Sequence, residues 1–373
     1  MITISLCMIV RNEENSLGQC LSGMAGIADE IVIVDTGSTD RTKEIAASFG
    51  AVIYDFEWID DFAAARNYSF SKATKDYIMW LDADDTITPV DQERLRQLKQ
   101  TLPPETDTVT MPYNLAFDGE GNVISTLRRN RLVRRECGFQ WIGPVHEYLA
   151  VAGRAYASDA CITHKKDKAH TDRNLRIYRK RAEQGEQFSP RDLYYYANEL
   201  RDHQFNEEAV DYYDRFLATG QGWIEDNFQA CLKGAECWGR LGDKMQEFQW
   251  LCRTLIYDKP RAEFCCRLGA HLFEQGKYEQ AIYWYDLAVR LPVDTGNMGM
   301  TNKAVSTWIP HLQLCLCYDK LGQHQKANYH NELALSYYPS HPSMQYNRNY
   351  FKNLLGARYV GLNAARANKG RGD

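Results

Sequence analysis

Asp82, Asp84 and Asp85 stand together in the run Leu81-Asp82-Ala83-Asp84-Asp85, where apolar residues give way to polar ones. Two carboxylates with one residue between them, at the end of a buried strand, can share one divalent cation. Mg²⁺ or Mn²⁺ takes oxygen ligands and often bridges to a diphosphate. The competing reading is an acidic strand end that caps a helix starting at Thr88. Three more polar clusters precede this one. Arg11-Asn12-Glu13-Glu14 follows Met8-Ile9-Val10. In Asp35-Thr36-Gly37-Ser38-Thr39-Asp40, Gly37 permits a tight turn and Asp40 can cap the next helix. Asp35 is then left to accept hydrogen bonds from a nucleobase or ribose. Asp61-Phe62-Ala63-Ala64-Ala65-Arg66-Asn67 opens a helix just before the aspartate strand. Arg66 can bind a ligand, pair with the converging carboxylates, or do both.

These clusters are spread over about 75 residues and meet only if the fold brings strand ends together. Apolar runs predict strands at 2–10, 30–34, 52–54 and 77–81. Helical patterns fall at 16–25, 40–49 and 62–73. Such alternation predicts a mostly parallel α/β sheet, with ligands at the carboxyl ends of its strands. Arg11, Asp35 and Asp82 all sit at such ends.

After Asn174 only helices are predicted, and they repeat. Leu268, Gly269, Leu272, Gly276, Tyr278, Ala281, Tyr285 and Ala288 fall at the positions of the tetratricopeptide repeat of about 34 residues. Residues 306–339 give a second copy, 193–216 a looser one and 227–260 a degraded one. The competing reading is an irregular helical bundle. Small residues let paired helices approach, and aromatics fill the space between pairs. Residues 294–303 read as an insertion and 346–355 as a capping helix. The expected organisation is a catalytic domain at 1–170, a helical linker at 171–189, repeats with their cap at 190–356, and a flexible tail at 357–373.

The chain has 373 residues, enough for two or three domains. Hydrophobic residues make up 44% and charged residues 25%. A net charge of −5 argues against a protein that coats nucleic acid, which needs a broad basic face. The 11 cysteines form no CxxC pair. Scattered on helical positions, they read as small core residues of a reduced, cytoplasmic protein. No apolar run is long enough for a membrane span. The opening MITISLCMIV is followed at once by RNEEN, which argues against a signal peptide.

The four polar motifs, in this order, resemble those of the inverting GT-A glycosyltransferases of family 2. Joined to tetratricopeptide repeats, such a domain is similar to the bacterial group that contains peptide S-glycosyltransferases of glycosylated bacteriocins. The resemblance implies a Rossmann-like GT-A domain followed by an all-α repeat domain. It implies that Asn12, Glu13 and the Val10 backbone hold the uridine, that Asp35 meets the base, and that Arg66 binds near base or diphosphate. Asp82 would contact ribose or metal, Ala83 would lie in the same nucleotide-sugar turn, and Asp84 would ligate Mg²⁺ or Mn²⁺.

Downstream, Trp141-Ile142-Gly143-Pro144-Val145-His146-Glu147-Tyr148 matches the family's acceptor-side motif. Inversion needs a base for the acceptor proton. Glu147 is the first candidate and His146 the second, unless His146 only orients Glu147 or caps a turn. In Cys161-Ile162-Thr163-His164-Lys165-Lys166, His164 would be the third metal ligand, and Lys165 and Lys166 would neutralise the leaving UDP. A surface histidine beside solvated lysines is the plain alternative. Arg128, Arg129, Arg131, Arg134 and Arg135 would meet donor phosphates or an acidic acceptor, or else mark exposed positions on a strand.

The resemblance implies transfer of a hexose or N-acetylhexosamine from a UDP-sugar to Cys, Ser or Thr of a peptide or protein held near the repeats. A cell-surface glycan or lipid-linked acceptor is the alternative within this class. A non-catalytic repeat scaffold that binds a protein partner is the alternative outside it. Self-association into a homodimer is a further use open to the repeats.

Overall fold

The computed structural model describes residues 1–117, 121, 123–165, 171–292 and 301–361. Lys166, most of the insertion expected at 294–303 and the tail from 362 onward lie outside the described residues. The chain forms two compact units. One is built from Met1–Ala116 and Ser125–Glu186, the other mainly from the chain after Gln187.

The first unit alternates strands and helices as the apolar runs predict, with ends displaced by at most two residues. They are β1 (Ile4–Val10), α1 (Leu17–Gly23), β2 (Glu30–Asp35), α2 (Thr42–Ser48), β3 (Val52–Asp55), α3 (Phe62–Ser71) and β4 (Tyr77–Trp80). There follow β5 (Asp85–Thr86), α4 (Pro89–Thr101), β6 (Thr108–Phe117), β7 (Val123–Arg134), β8 (Gln140–Ile142), β9 (Tyr148–Ala150), β10 (Ala155–Ala157), β11 (Ile162–His164) and α5 (Arg173–Glu183). The sheet order is β3-β2-β1-β4-β7-β6-β11-β5, with β10 also paired to β6. Strands β3, β2, β1 and β4 run parallel, and β7 is antiparallel to β4. This is the α/β GT-A architecture.

Both faces of β1 are covered, which explains its unbroken apolar run. Ile4, Leu6, Met8 and Val10 join the core beneath α1 and α4, while Cys7 faces the cluster of Ala63 and Phe70 from α3. The chain departs from β1 to β2 on one side and β4 lies on the other, so loops at their carboxyl ends open a crevice. Residues 173–183, read from the sequence as linker, form α5 and group with the first unit, burying Leu175, Ile177 and Tyr178.

The second unit is helical: α6 (Pro190–Asp202), α7 (Asn206–Ala218), α8 (Ile224–Leu241), α9 (Lys244–Arg253), α10 (Ala262–Glu274), α11 (Tyr278–Arg290), α12 (Trp308–Lys320), α13 (His324–Tyr337) and α14 (Pro342–Leu355). Helices α6 to α13 pack as four successive pairs and α14 covers α13. Each of the first three pairs sets an aromatic side chain sixteen residues after a small one: Ala197 with Tyr213, Gly234 with Trp250, Gly269 with Tyr285. A Cβ on Gly269 would stand 2.8 Å from the Tyr285 ring, and one on Gly234 would stand 2.2 Å from the Trp250 ring. In the fourth pair Asn331 takes the aromatic position, fully buried, and its Nδ2 donates to the Met344 carbonyl of α14 at 3.0 Å. Eight of the 11 cysteines are buried and all are free thiols. Among the described residues no helix is long and apolar enough to cross a membrane.

Candidate active site

Asp61 caps α3, its carboxylate accepting from the Ala64 N–H at 2.9 Å. That cap sets the helix phase, which places Arg66 on the buried face with Ala63, Ala65 and Phe70. Arg66 joins two carboxylates that are distant in sequence. Its Nε donates to Glu147 Oε1 at 2.7 Å and its Nη2 to Asp82 Oδ1 at 2.7 Å. The guanidinium lies 4.7 Å from the Trp141 ring centre and 5.0 Å from that of Trp80. Burial opposes the charge on Asp82, but Arg66, Arg131 and Arg129 outweigh it and hold the carboxyl well below the usual range.

Asp84 and Asp85 are positioned by strand pairing. β5 pairs antiparallel with β11, setting His164 opposite Asp85. The Lys165 N–H donates to the Asp84 carbonyl at 2.9 Å. His164 Nδ1 lies 3.4 Å from Asp84 Oδ1 and 3.9 Å from Asp85 Oδ1. Asp84, first, and Asp85 push the imidazole pKa up to about 10. Asp84, Asp85 and His164 form a group able to hold a metal ion, with ligand atoms within 4.8 Å of one another. Asp82, read from the sequence as a further ligand, is not in that group because its carboxylate is turned to Arg66.

Asp85 is braced from behind. Its Oδ2 accepts from the Asp82 N–H at 3.0 Å and lies 3.0 Å from Arg131 Nη1, and its Oδ1 accepts from the Tyr113 hydroxyl at 2.9 Å. Arg131 is fully buried between the Trp80 and Tyr113 rings, at 3.9 and 4.3 Å. The reading of the arginine run as exposed strand positions therefore fails at Arg131. Arg128 is likewise spent on the protein, donating to the Thr110 and Ser158 carbonyls.

On the β1 and β2 side, Asn12 ties two loops together. With φ at +53°, it accepts from the Thr39 N–H at 2.8 Å, and its own N–H donates to the Ser38 hydroxyl at 2.9 Å. The Glu13 N–H donates to the Thr42 hydroxyl, and the Glu13 carboxylate accepts from Ser16. The Val10 carbonyl already accepts from both the N–H and the hydroxyl of Thr36. Asp35 is buried at the end of β2. Its Oδ1 accepts from the Gly37 and Ser38 N–H groups at 2.9 and 2.8 Å, while its Oδ2 has no hydrogen-bond partner. That buried acceptor is in need of a donor.

His146 adopts φ +50° and stacks on Tyr178 of α5 at 6.4 Å. It neighbours Glu147 in the chain, but the Arg66 contact belongs to Glu147. The Lys165 side chain is exposed. Arg173, at the start of α5, lies over the Phe62 ring at 4.5 Å and within electrostatic reach of Glu147, Arg11 and Glu13. Sequence reasoning passed over Asp85 as a cation neighbour, Arg131 and Tyr113 as its brace, and Arg173. The third aspartate of the run was a visible signal. The other three have none in spacing alone.

Residues 5–122 match the family model described as Glycosyl transferase family 2. Residues 5–122 carry a family 2 glycosyltransferase domain. The TPR repeat-containing protein Synpcc7942_0270 of Synechococcus elongatus is 29% identical over 332 residues, covering 87% of this chain and 75% of its own. The SPbeta prophage-derived glycosyltransferase SunS of Bacillus subtilis is 27% identical over 224 residues. That alignment covers 56% of this chain and 52% of SunS, so the chain spans about half of that relative's length. Among solved structures, glucosyl-3-phosphoglycerate synthase from Mycobacterium tuberculosis aligns over 50% of this chain and 82% of its own. At 15% identity and a TM-score of 0.36, that likeness is too distant to bear on the chemistry.

Proposed function

We propose that this protein is an inverting glycosyltransferase that moves a hexose or N-acetylhexosamine from a UDP-sugar to a Cys, Ser or Thr side chain of a peptide or protein. The observation that carries the reading is a pair of unsatisfied buried positions, one at the end of β2 and one at the end of β11 beside Asp84. Asp35 Oδ2 is buried and lacks a donor, and His164 Nδ1 is buried beside Asp84 without a hydrogen-bond partner. The first suits a base N–H. The second, with its carboxylates, suits a hard divalent cation.

Mg²⁺ or Mn²⁺ fits this donor set, with Asp84 and His164 as ligands and Asp85 at the edge, and would offset charge on the diphosphate when bound. Asp35 orients the base. Asn12 and Glu13 fix the loops around it. Arg66 holds Asp82 and Glu147 in register, so Glu147 is placed to take the acceptor proton. A thiol acceptor asks little of that base, since its own pKa is near 8.5. Lys165, and Arg173 within electrostatic reach of Glu13 and Glu147, supply cations to meet the departing UDP. Eleven free thiols suit a cytoplasmic setting.

The test is incubation of the full chain with UDP-glucose or UDP-N-acetylglucosamine, Mn²⁺, and short peptides offering Cys, Ser or Thr. Intact-mass spectrometry should show a peptide gain of one sugar residue, abolished by Asp84→Ala. Transfer only to a glycan or lipid-linked acceptor, with every peptide unmodified, would overturn the acceptor assignment.

A further inference from the structure

A cavity of about 360 Å³ opens in the repeat unit, lined mainly by α6, α8, α10 and α12, the first helices of the four pairs. Most charges on its wall are neutralised by the protein. Arg201 donates to Asp202 at 2.5 and 3.0 Å. Glu236 is paired with Arg240 at 2.5 Å and with Arg267 at 3.3 Å. Glu263 accepts from Gln229 at 2.7 Å, and burial pushes its carboxyl up.

Lys233 differs. Its Nζ donates to the Tyr194 hydroxyl and to Asn198 Oδ1, both at 2.9 Å, and sits over the Tyr194 ring at 4.8 Å. Both acceptors are neutral, and two of its three donors are used. Asn198 is itself fixed by the Tyr213 hydroxyl at 2.7 Å, so the ammonium is held in place. Among the described residues no carboxylate lies within ion-pair distance of it. Burial, seconded by Arg201, brings its pKa down to about 7 even though Asp202, Asp226 and Glu236 act against the shift. A cation held this way gains from an incoming anion.

We propose that this cavity binds an acidic side chain of an extended peptide, with Lys233 as the residue that meets the carboxylate. Leu232 and Ile309 line the same cavity and suit the methylenes of Glu. The opening runs across successive helix pairs, which fits an extended chain better than a compact acid. The inference builds on the peptide-acceptor reading above, but its test does not use sugar transfer.

The experiment measures fluorescence anisotropy of a fluorescein-labelled heptapeptide of alternating Ala and Glu with the full-length protein, against the same peptide with Gln for Glu. The Glu peptide should bind at least about ten-fold more tightly than the Gln peptide. Lys233→Gln, which can keep the bonds to Tyr194 and Asn198, should remove that advantage and leave the thermal shift given by UDP and Mn²⁺ unchanged. Lys233→Met serves as the second variant and should show the same loss. Equal binding of the two peptides, or wild-type affinity in a folded variant, would overturn the proposal. So would displacement of the peptide by glutarate at equal concentration, because the site would then take free organic acids. Loss of UDP binding in the wild type with peptide binding intact would strike the transferase reading and spare this one.

Discussion

Arg66→Met tests the centre of the candidate site. The guanidinium makes two charge-assisted bonds of 2.7 Å, to Asp82 and Glu147, whose side chains are 31% and 13% exposed. Removing one partner of a buried ion pair costs about 3–5 kcal/mol, and partial exposure of Asp82 brings the expected loss to about 3 kcal/mol. Met can still fill the space between Trp80 and Trp141, so the loss reads charge more than cavity. The sign with pH follows from Asp82. Its folded carboxyl is held below the usual range, so its stabilisation is present above about pH 4 and is lost as pH falls through the folded value. The gap between wild type and variant should therefore be full at pH 7 and shrink below pH 4. Hydrogen exchange across a urea series, read on peptides from α3 and β4, reports the first unit separately from the repeats. A variant as stable as wild type at pH 7, or a gap that widens in acid, would refute the reasoning.

Four other outcomes follow from the same geometry. Asp35→Asn should weaken UDP binding by roughly ten-fold, measured by calorimetry, because an amide cannot replace a charged acceptor at Oδ2. Asp84→Ala should abolish the rise in melting temperature that Mn²⁺ gives the wild type, a rise worth about 2.7 kcal/mol at a hundred times Kd. Gly269→Ala should destabilise the repeats by about 1–3 kcal/mol in urea unfolding, since the new Cβ meets the Tyr285 ring, and Tyr285→Leu in the same chain should return part of the loss. Burial, helped by His311 and Lys326, brings the His330 pKa down to about 3. Repeat stability should then be full above about pH 6.5 and fall as pH drops toward 3, and His330→Phe should flatten that slope.

The α/β alternation and the helix pairs were legible because each rests on local periodicity. β1 alternates between two covered faces, and Gly269 and Tyr285 keep a fixed spacing. The strand-end clusters were legible for the same reason, since polar residues that break an apolar run mark the carboxyl end of a strand. What spacing could not reveal was which carboxylate each arginine would take. Arg131 sits in a run that looks solvated, yet β7 crosses beside β4 and carries it to Asp85. Arg173 stands in a stretch that reads as linker, and only its packing in the first unit brings it near Glu147. In the degraded copy at 227–260 the sequence points to Ala235, Trp238 and Gly242, whereas the small residue that meets the Trp250 ring is Gly234.

The distribution of arginines explains why so many carboxylates can crowd the strand ends without all being ligands. Asp85 is claimed by Arg131 and Tyr113, and Asp82 and Glu147 are claimed by Arg66. Those bonds order the turn from Asp82 to Asp85 before anything binds, so a ligand need not supply that ordering. They also leave the incoming groups a short choice. Among the described residues Asp84 has His164 beside it at 3.4 Å and no arginine in ion-pair contact, and Asp35 keeps one oxygen without a donor. A cation placed at Asp84 would compete for His164 with the proton that raises its pKa, so metal binding there has to release that proton. Asp82 and Glu147 can take over that role only by giving up Arg66. The site is thus specified as much by which acids are occupied as by which acids are present.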